Sequence, residues 1–293
     1  MPKKKIMICV SGGGAIQLES ATGVFMALDT LGVLKRAGRE YRACSGGAPV
    51  AALHCSGFRG TEIAQLIRNT PMKELVYHPF LGRYFDASGV WDLLLSHMPK
   101  EPLTNCRVAV TRIETAPHKQ PDGTVERSFA AMWSCMVDAT PSTVVASMSI
   151  PGVFRPVKIQ NDLYTDGGVK NLIPTPAIDE INDYAHIYII LSPVKKTVPK
   201  NDWSLINWFF GTELKSAAGL LDREITQIYE DGWHKLSNVT VIRPDVPEKL
   251  CGRSLISEML EWSEGNAMID RAFQFTLELL GGKENERTNN KLC

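Results

Sequence analysis

The chain has 293 residues, with 32 Lys and Arg against 32 Asp and Glu, a formal net charge of zero, and 44% hydrophobic residues. That balance removes any global charge argument for nucleic acid or for an acidic partner surface. The apolar content is that of an ordinary globular protein with a sizeable core, and the length suits one large α/β domain or two small ones.

Lys3-Lys4-Lys5 precede an apolar run that ends at Val10, too short for a secretory hydrophobic region. It predicts a first core strand over 5–10. No stretch approaches the ~18 apolar residues of a membrane span. Further strands are predicted at 40–44, 107–113, 129–135, 155–159, 186–191 and 239–243. Helices are predicted at 21–34, 49–56, 60–70, 88–96, 143–148, 175–183, 216–236 and 266–279. The last carries Met268, Ile269, Ala272, Phe275 and Leu279 near the helical period. Asp122-Gly123 predicts a hairpin turn.

Strands alternating with helices predict an α/β fold: a mostly parallel central sheet with helices on both faces. Residues 1–280 read as a single domain, and 281–293 as a polar, flexible tail. The seven cysteines are scattered and odd in number, without a C-x-x-C pair. They read as reduced thiols of a cytoplasmic protein rather than a disulfide framework or a zinc site.

Three segments bear on function. Ile6-Met7-Ile8-Cys9-Val10-Ser11-Gly12-Gly13-Gly14 runs a strand into three glycines, whose amides can face a cleft unobstructed and hold a phosphate or an oxyanion. Ala43-Cys44-Ser45-Gly46-Gly47 approximates G-x-S-x-G, with Ala43 in the first glycine position. A strand that reverses into a helix there needs small neighbours and leaves the serine exposed at the apex. Leu163-Tyr164-Thr165-Asp166-Gly167-Gly168 places an aspartate between a strand and two glycines. Taken singly, the serine and aspartate segments read more readily as structural turns.

In this order the three resemble the patatin-like phospholipases. Ala146-Ser147-Met148-Ser149-Ile150-Pro151-Gly152-Val153-Phe154-Arg155-Pro156 is similar to a further segment of that family, with Ser149 where an alanine is usual. The resemblance runs over residues 5–195 and fades beyond. It implies a three-layer, α/β-hydrolase-related architecture and a Ser45–Asp166 dyad without histidine. It also implies oxyanion donors at Gly12, Gly13 and Gly14, with the Gly46 amide as a further one. No metal or organic cofactor is implied. The implied substrate is phospholipid or lysophospholipid, met by transient contact with a membrane surface, with no nucleic acid partner. The sequence leaves the oligomeric state open. One departure is clear: Ala15-Ile16-Gln17 follow the glycines where relatives carry Arg or Lys, and the loop reads as one residue longer before Gly23.

A serine hydroxyl needs a base within hydrogen-bond reach. A carboxylate near its ordinary pKa of ~4 is a weak one unless burial raises it. None of His54, His78, His97, His118, His186 and His234 lies in a glycine-rich loop after a strand, so Asp166 is the better base. Two alternatives stay open: a nucleotide- or phosphate-binding module using the Gly12–Gly14 loop, which lacks G-x-G-x-x-G and G-K-[ST] spacing, and a fold of the same type without catalysis. Trp203, Trp208, Phe209 and Phe210 form a cluster that reads either as core packing or as an interfacial lipid contact.

Overall fold

A computed structural model describes residues 4–34, 38–70, 75, 85–119, 125–193, 219–250 and 267–289. The predicted cluster at Trp203 to Phe210 lies outside them, as do residues 120–124 at the predicted hairpin turn.

The strands are β1 (Lys5–Val10), β2 (Arg39–Ala43), β3 (Leu103–Lys119), β4 (Val125–Ala139), β5 (Val157–Ile159), β6 (Asp162–Asp166), β7 (Tyr184–Ile190) and β8 (Val239–Ile242). The helices are α1 (Gly14–Thr30), α2 (Ala48–Cys55), α3 (Gly60–Asn69), α4 (Ser88–His97), α5 (Pro141–Met148), α6 (219–230) and α7 (Ala267–Asn289). The sheet path is β5-β6-β3-β2-β1-β7-β8, with β4 also paired to β3. The pairs β1–β2, β1–β7, β2–β3 and β7–β8 are parallel; β4 and β6 run antiparallel to β3. The sheet is therefore mixed and mostly parallel.

Alternation along the central strands builds two cores. Ile6, Ile8 and Val10 of β1 and Tyr188 and Ile190 of β7 join Phe25, Val50, Ile63, Leu94 and Val144 from helices on one face. Met7 and Cys9, with Ile187 and Ile189, join Ile225 and Ile228 of α6 on the other. Strands buried on both faces read as continuous apolar runs because both parities meet a helix layer. Three layers result. Among the described residues, no helix is long and apolar enough to cross a membrane.

β3 organises the site. β4 lies along one of its edges from Arg107 to Lys119. Along the other edge β3 pairs first with β2, at Cys106 to Val108, and then with β6, at Val110 to Ile113. β2 is parallel to β3 and β6 antiparallel, so the C-terminal ends of β2 and β6 converge on Ala109 from opposite directions.

Several boundaries differ from expectation. Helix α1 begins at Gly14 rather than residue 21, so the chain has no lengthened loop before Gly23. Gly23 lies mid-helix, where α1 packs on α7: a methyl group on it would sit 2.1 Å from the Ile269 carbonyl oxygen. The predicted helix over 175–183 is a short 3-10 helix, Ile178–Asp183, because Pro174 and Pro176 keep the preceding residues extended. Helix α7 continues to Asn289, through most of the segment that reads as a tail. Lys, Glu and Arg around 283–287 are good helix formers, offsetting the two glycines before them.

Gly23→Ala should therefore destabilise the protein by about 1–3 kcal/mol, the usual range for an overpacked contact. Gly219→Ala, where a methyl group meets nothing within 4 Å among the described residues, should be neutral. Thermal unfolding of the two variants side by side checks this.

Candidate active site

β2 ends at Ala43, Cys44 is extended, and Ser45 takes φ 47°, a left-handed conformation. For a non-glycine residue this costs about 1–2 kcal/mol. The Ser45 amide donates to Ser147 Oγ at 3.0 Å, and the Gly47 amide to the Cys44 carbonyl at 2.9 Å. At about 1 kcal/mol net apiece, these bonds offset the strain. Small residues around the turn are required. A methyl group on Gly46 would lie 2.0 Å from the Gly14 carbonyl oxygen, and one on Gly47 2.6 Å from that of Ser11. Ala43 is fully buried, its methyl group taken up in the core.

Ser147 comes from α5. Thr140 and Thr143 cap that helix reciprocally, Thr140 N to Thr143 Oγ1 at 2.8 Å and Thr143 N to Thr140 Oγ1 at 3.2 Å, with Pro141 in the first turn. One turn beyond Thr143, the Ser147 hydroxyl donates to the Ala109 carbonyl at 2.7 Å. A single side chain thus ties the Ser45 turn to the point where β3 changes partners. Ser149, after the helix, accepts the Asp166 amide at 2.9 Å and the Thr165 hydroxyl.

β6 delivers Asp166 to the same point. Ser45 Oγ donates to Asp166 Oδ2 at 2.7 Å, and the Gly168 amide to Oδ1 at 2.6 Å; the Cys44 thiol lies 3.9 Å from Oδ1. Asp166 is 3% exposed. Burial pushes its pKa up to about 7, against the opposing pull of the Gly168 amide, the Ser45 hydroxyl and the Cys44 thiol.

The glycine run borders Ser45. A methyl group on Gly12 would fall 3.1 Å from Ser45 Cβ. Of the four amides that the sequence points to as oxyanion donors, that of Gly12 is engaged: it donates to the Leu172 carbonyl at 2.8 Å. The Gly13, Gly14 and Gly46 amides carry no hydrogen bond among the described residues. Gly13 and Gly14 have φ 148° and 66°, open to glycine alone at little strain. Ile16, where the resemblance leads one to expect a cation, is buried, as is Gln17 beside it, whose side-chain amide donates to the Ile190 carbonyl at 3.3 Å.

Sequence reasoning did not single out Ser147, Leu172 or Glu224. Glu224 of α6 accepts the Ile173 amide at 2.9 Å and so fastens the segment whose Leu172 carbonyl holds Gly12. Ser147 was visible only as part of the segment from Ala146 to Pro156, and nothing in the local pattern marks Glu224. The histidines whose side chains are described serve elsewhere: His54 is bonded to Tyr41 at 2.8 Å and to Asp29 at 3.2 Å, His97 to the Leu93 carbonyl, His186 to Thr240, and His234 lies against the Tyr229 ring, centroids 5.3 Å apart.

The raised Asp166 pKa has a stability consequence of definite sign. Between about 3.8 and about 7 the folded protein holds a proton that the unfolded chain has released, so stability falls as pH rises through that window. Asp166→Asn removes the effect. The melting temperature of the variant minus that of the wild type should grow from pH 4.5 to pH 7.5, and a constant difference would contradict the shift.

A family model for patatin-like phospholipase matches residues 8–179, a span that takes in the glycine run, Ser45, Ser147 and Asp166. Among solved structures, the chain is similar to VipD from Legionella pneumophila at 14% identity, over 96% of this chain and 67% of that chain, with a TM-score of 0.49. No curated protein sequence matches it.

Proposed function

Since the chain belongs to the patatin-like phospholipase family, we propose that it is a lipid acyl hydrolase in which Ser45 is the nucleophile and Asp166 the general base. The observation that carries this reading is the 2.7 Å hydrogen bond from Ser45 Oγ to a buried Asp166 carboxylate. Burial brings that carboxylate near neutrality, where a general base works best.

As Ser45 Oγ attacks the ester carbonyl carbon, its proton passes to Asp166 Oδ2. The carbonyl oxygen gains the negative charge and is met by the Gly13, Gly14 and Gly46 amides, each such donor being worth roughly 3 kcal/mol when well aimed. Collapse breaks the bond to the leaving alcohol, which takes the proton from Asp166. Water then repeats the sequence on the acyl-Ser45 ester, giving its proton to Asp166, and Ser45 recovers a proton as the fatty acid leaves. A phosphate-cradle role for the glycine loop fits less well, because the Gly12 amide is occupied by Leu172.

An apolar cavity of about 30 Å³ is lined by Leu18, Pro49, Val50, Leu53 and Met148, among others. Leu18 lies one helical turn beyond Gly14, Pro49 and Val50 lie about one turn beyond Ser45, and Met148 follows Ser147. The cavity has room for about one water-sized group, so an acyl chain bound at Ser45 would have to part these apolar side chains to enter. The family is one of phospholipases, and on that ground the proposed substrate is a phospholipid or lysophospholipid, met transiently at a membrane surface. The free thiols of Cys9, Cys44, Cys55, Cys106 and Cys135 agree with a cytoplasmic or peripheral location.

A fluorophosphonate probe should label the wild type and not Ser45→Ala; labelling that survives in the variant would overturn the assignment. Asp166→Asn should lower ester hydrolysis by about 10²–10⁴-fold while the protein stays folded, and near-normal turnover would point to another base. Leu53→Phe should lower kcat/KM for long-chain esters relative to short-chain ones. An unchanged ratio would take the cavity out of the acyl path without touching the dyad.

A further inference from the structure

Leu172 and Ile173 lie where three parts of the molecule meet. The turn after Asp166 leads straight into them: the Lys170 and Asn171 amides both donate to the Gly167 carbonyl, at 3.0 Å and 2.8 Å. The Leu172 carbonyl then takes the Gly12 amide at 2.8 Å. The Leu172 side chain is wedged between the two glycine turns. A methyl group on Gly12 would fall 2.4 Å from Leu172 Cδ2, and one on Gly168 2.6 Å from the same atom. Backbone and side chain of one residue thus set the spacing between the glycine run and the turn that carries Asp166.

Ile173 is buried, and a buried amide needs an acceptor. Glu224 of α6 supplies it, Oε2 at 2.9 Å from the Ile173 amide. A carboxylate acceptor makes this one of the stronger kinds of hydrogen bond. Glu224 is itself partly buried. The next residue, Ile225, and Ile228 seat the helix in the core that holds Leu172, Ile173 and Cys44, so the carboxylate is presented from a packed element. Glycines do not hold a shape by themselves. Gly13 and Gly14, at φ 148° and 66°, depend on what fixes their ends, and the bond at Gly12 is one such fixture.

We propose that Glu224 is a positioning residue for the oxyanion donors, a role that rests on Ser45 being the nucleophile. Glu224 holds the Ile173 amide, the adjoining Leu172 carbonyl holds Gly12, and the Gly13 and Gly14 amides are thereby kept where charge develops on the ester oxygen. Glu224 touches no reacting atom. Oxyanion donors act only when their N–H groups meet the developing charge at hydrogen-bond distance, so a small displacement of the glycine run costs rate without costing substrate binding. The support comes from α6, beyond the family match that ends at residue 179.

The full chain is assayed on a short-chain ester, with rates expressed per Ser45 site titrated by a fluorophosphonate. Glu224→Ala should lower kcat about 10-fold at unchanged KM, the pattern of an interaction made only in the transition state and a fraction of the roughly 10²–10³-fold that loss of a whole oxyanion donor costs. Glu224→Gln keeps an oxygen for the Ile173 amide and should recover most of the loss. Glu230→Ala, exposed on the same helix, should change neither constant. A second readout needs no turnover: hydrogen exchange at the Gly12 amide should quicken severalfold in Glu224→Ala and return to the wild-type rate in Glu224→Gln. Full kcat per site in Glu224→Ala, equal losses in the Ala and Gln variants, or unchanged Gly12 exchange overturns the proposal and leaves the dyad standing. A Ser45→Ala variant that hydrolyses as fast as the wild type removes the dyad, and this role with it.

Discussion

The exchange of partners along one edge of β3 is the constraint on which the site depends. A strand has only two edges, and β4 takes one of them along most of the length of β3. β2 and β6 must share the other, and because they run in opposite directions their C-terminal ends meet at Ala109. Neither strand can continue past that residue. Each must turn out of the sheet, and the turns are where Ser45 and Asp166 sit. The close approach leaves no room for side chains on the flanking residues. A methyl group on Gly167 would lie 2.2 Å from the Ala109 carbonyl oxygen. The same carbonyl takes the Ser147 hydroxyl, so one backbone oxygen is both the wall of the crevice and its anchor.

Placing a carboxylate at such a closed junction is unfavourable. The rise of Asp166 from 3.8 to about 7 corresponds to on the order of 4 kcal/mol against the ionised form. Two strong donors, the Gly168 amide and the Ser45 hydroxyl, recover part of what water would have given. The residue's pKa is thereby brought near neutrality, which is where the proposed role as general base asks it to be.

Much of this was legible in the chain. The three glycine-flanked motifs mark the turns because only small residues permit backbone contacts of this closeness, and the alternation of apolar runs marks a sheet covered on both faces. What escaped was tertiary. Gly23 reads as the end of a loop but is the crossing point of two helices, since a sequence does not say which glycine faces a neighbour. Gly12 belongs to the glycine run, yet its amide is taken by Leu172, 160 positions away. Ser147 is an ordinary serine until α5 is laid over β3. Pro174 and Pro176 broke an apparent helical period that their own presence should have discounted.

The place of β7 has a bearing on how the molecule can be divided. The family match ends at residue 179, before β7, β8, α6 and α7. β7 lies against β1 on the side away from β2, α6 covers one face of the sheet, and α7 lies on α1 behind the glycine run. Glu224 reaches back to hold Ile173. The matched segment thus holds the turns at Ser45 and Asp166 without the elements that enclose them. Cut at that boundary, it would expose one edge of β1 and the apolar flank of α1 together. The span of the family match is therefore shorter than the packed core, which takes in Met268, Ile269 and Ala272 of α7.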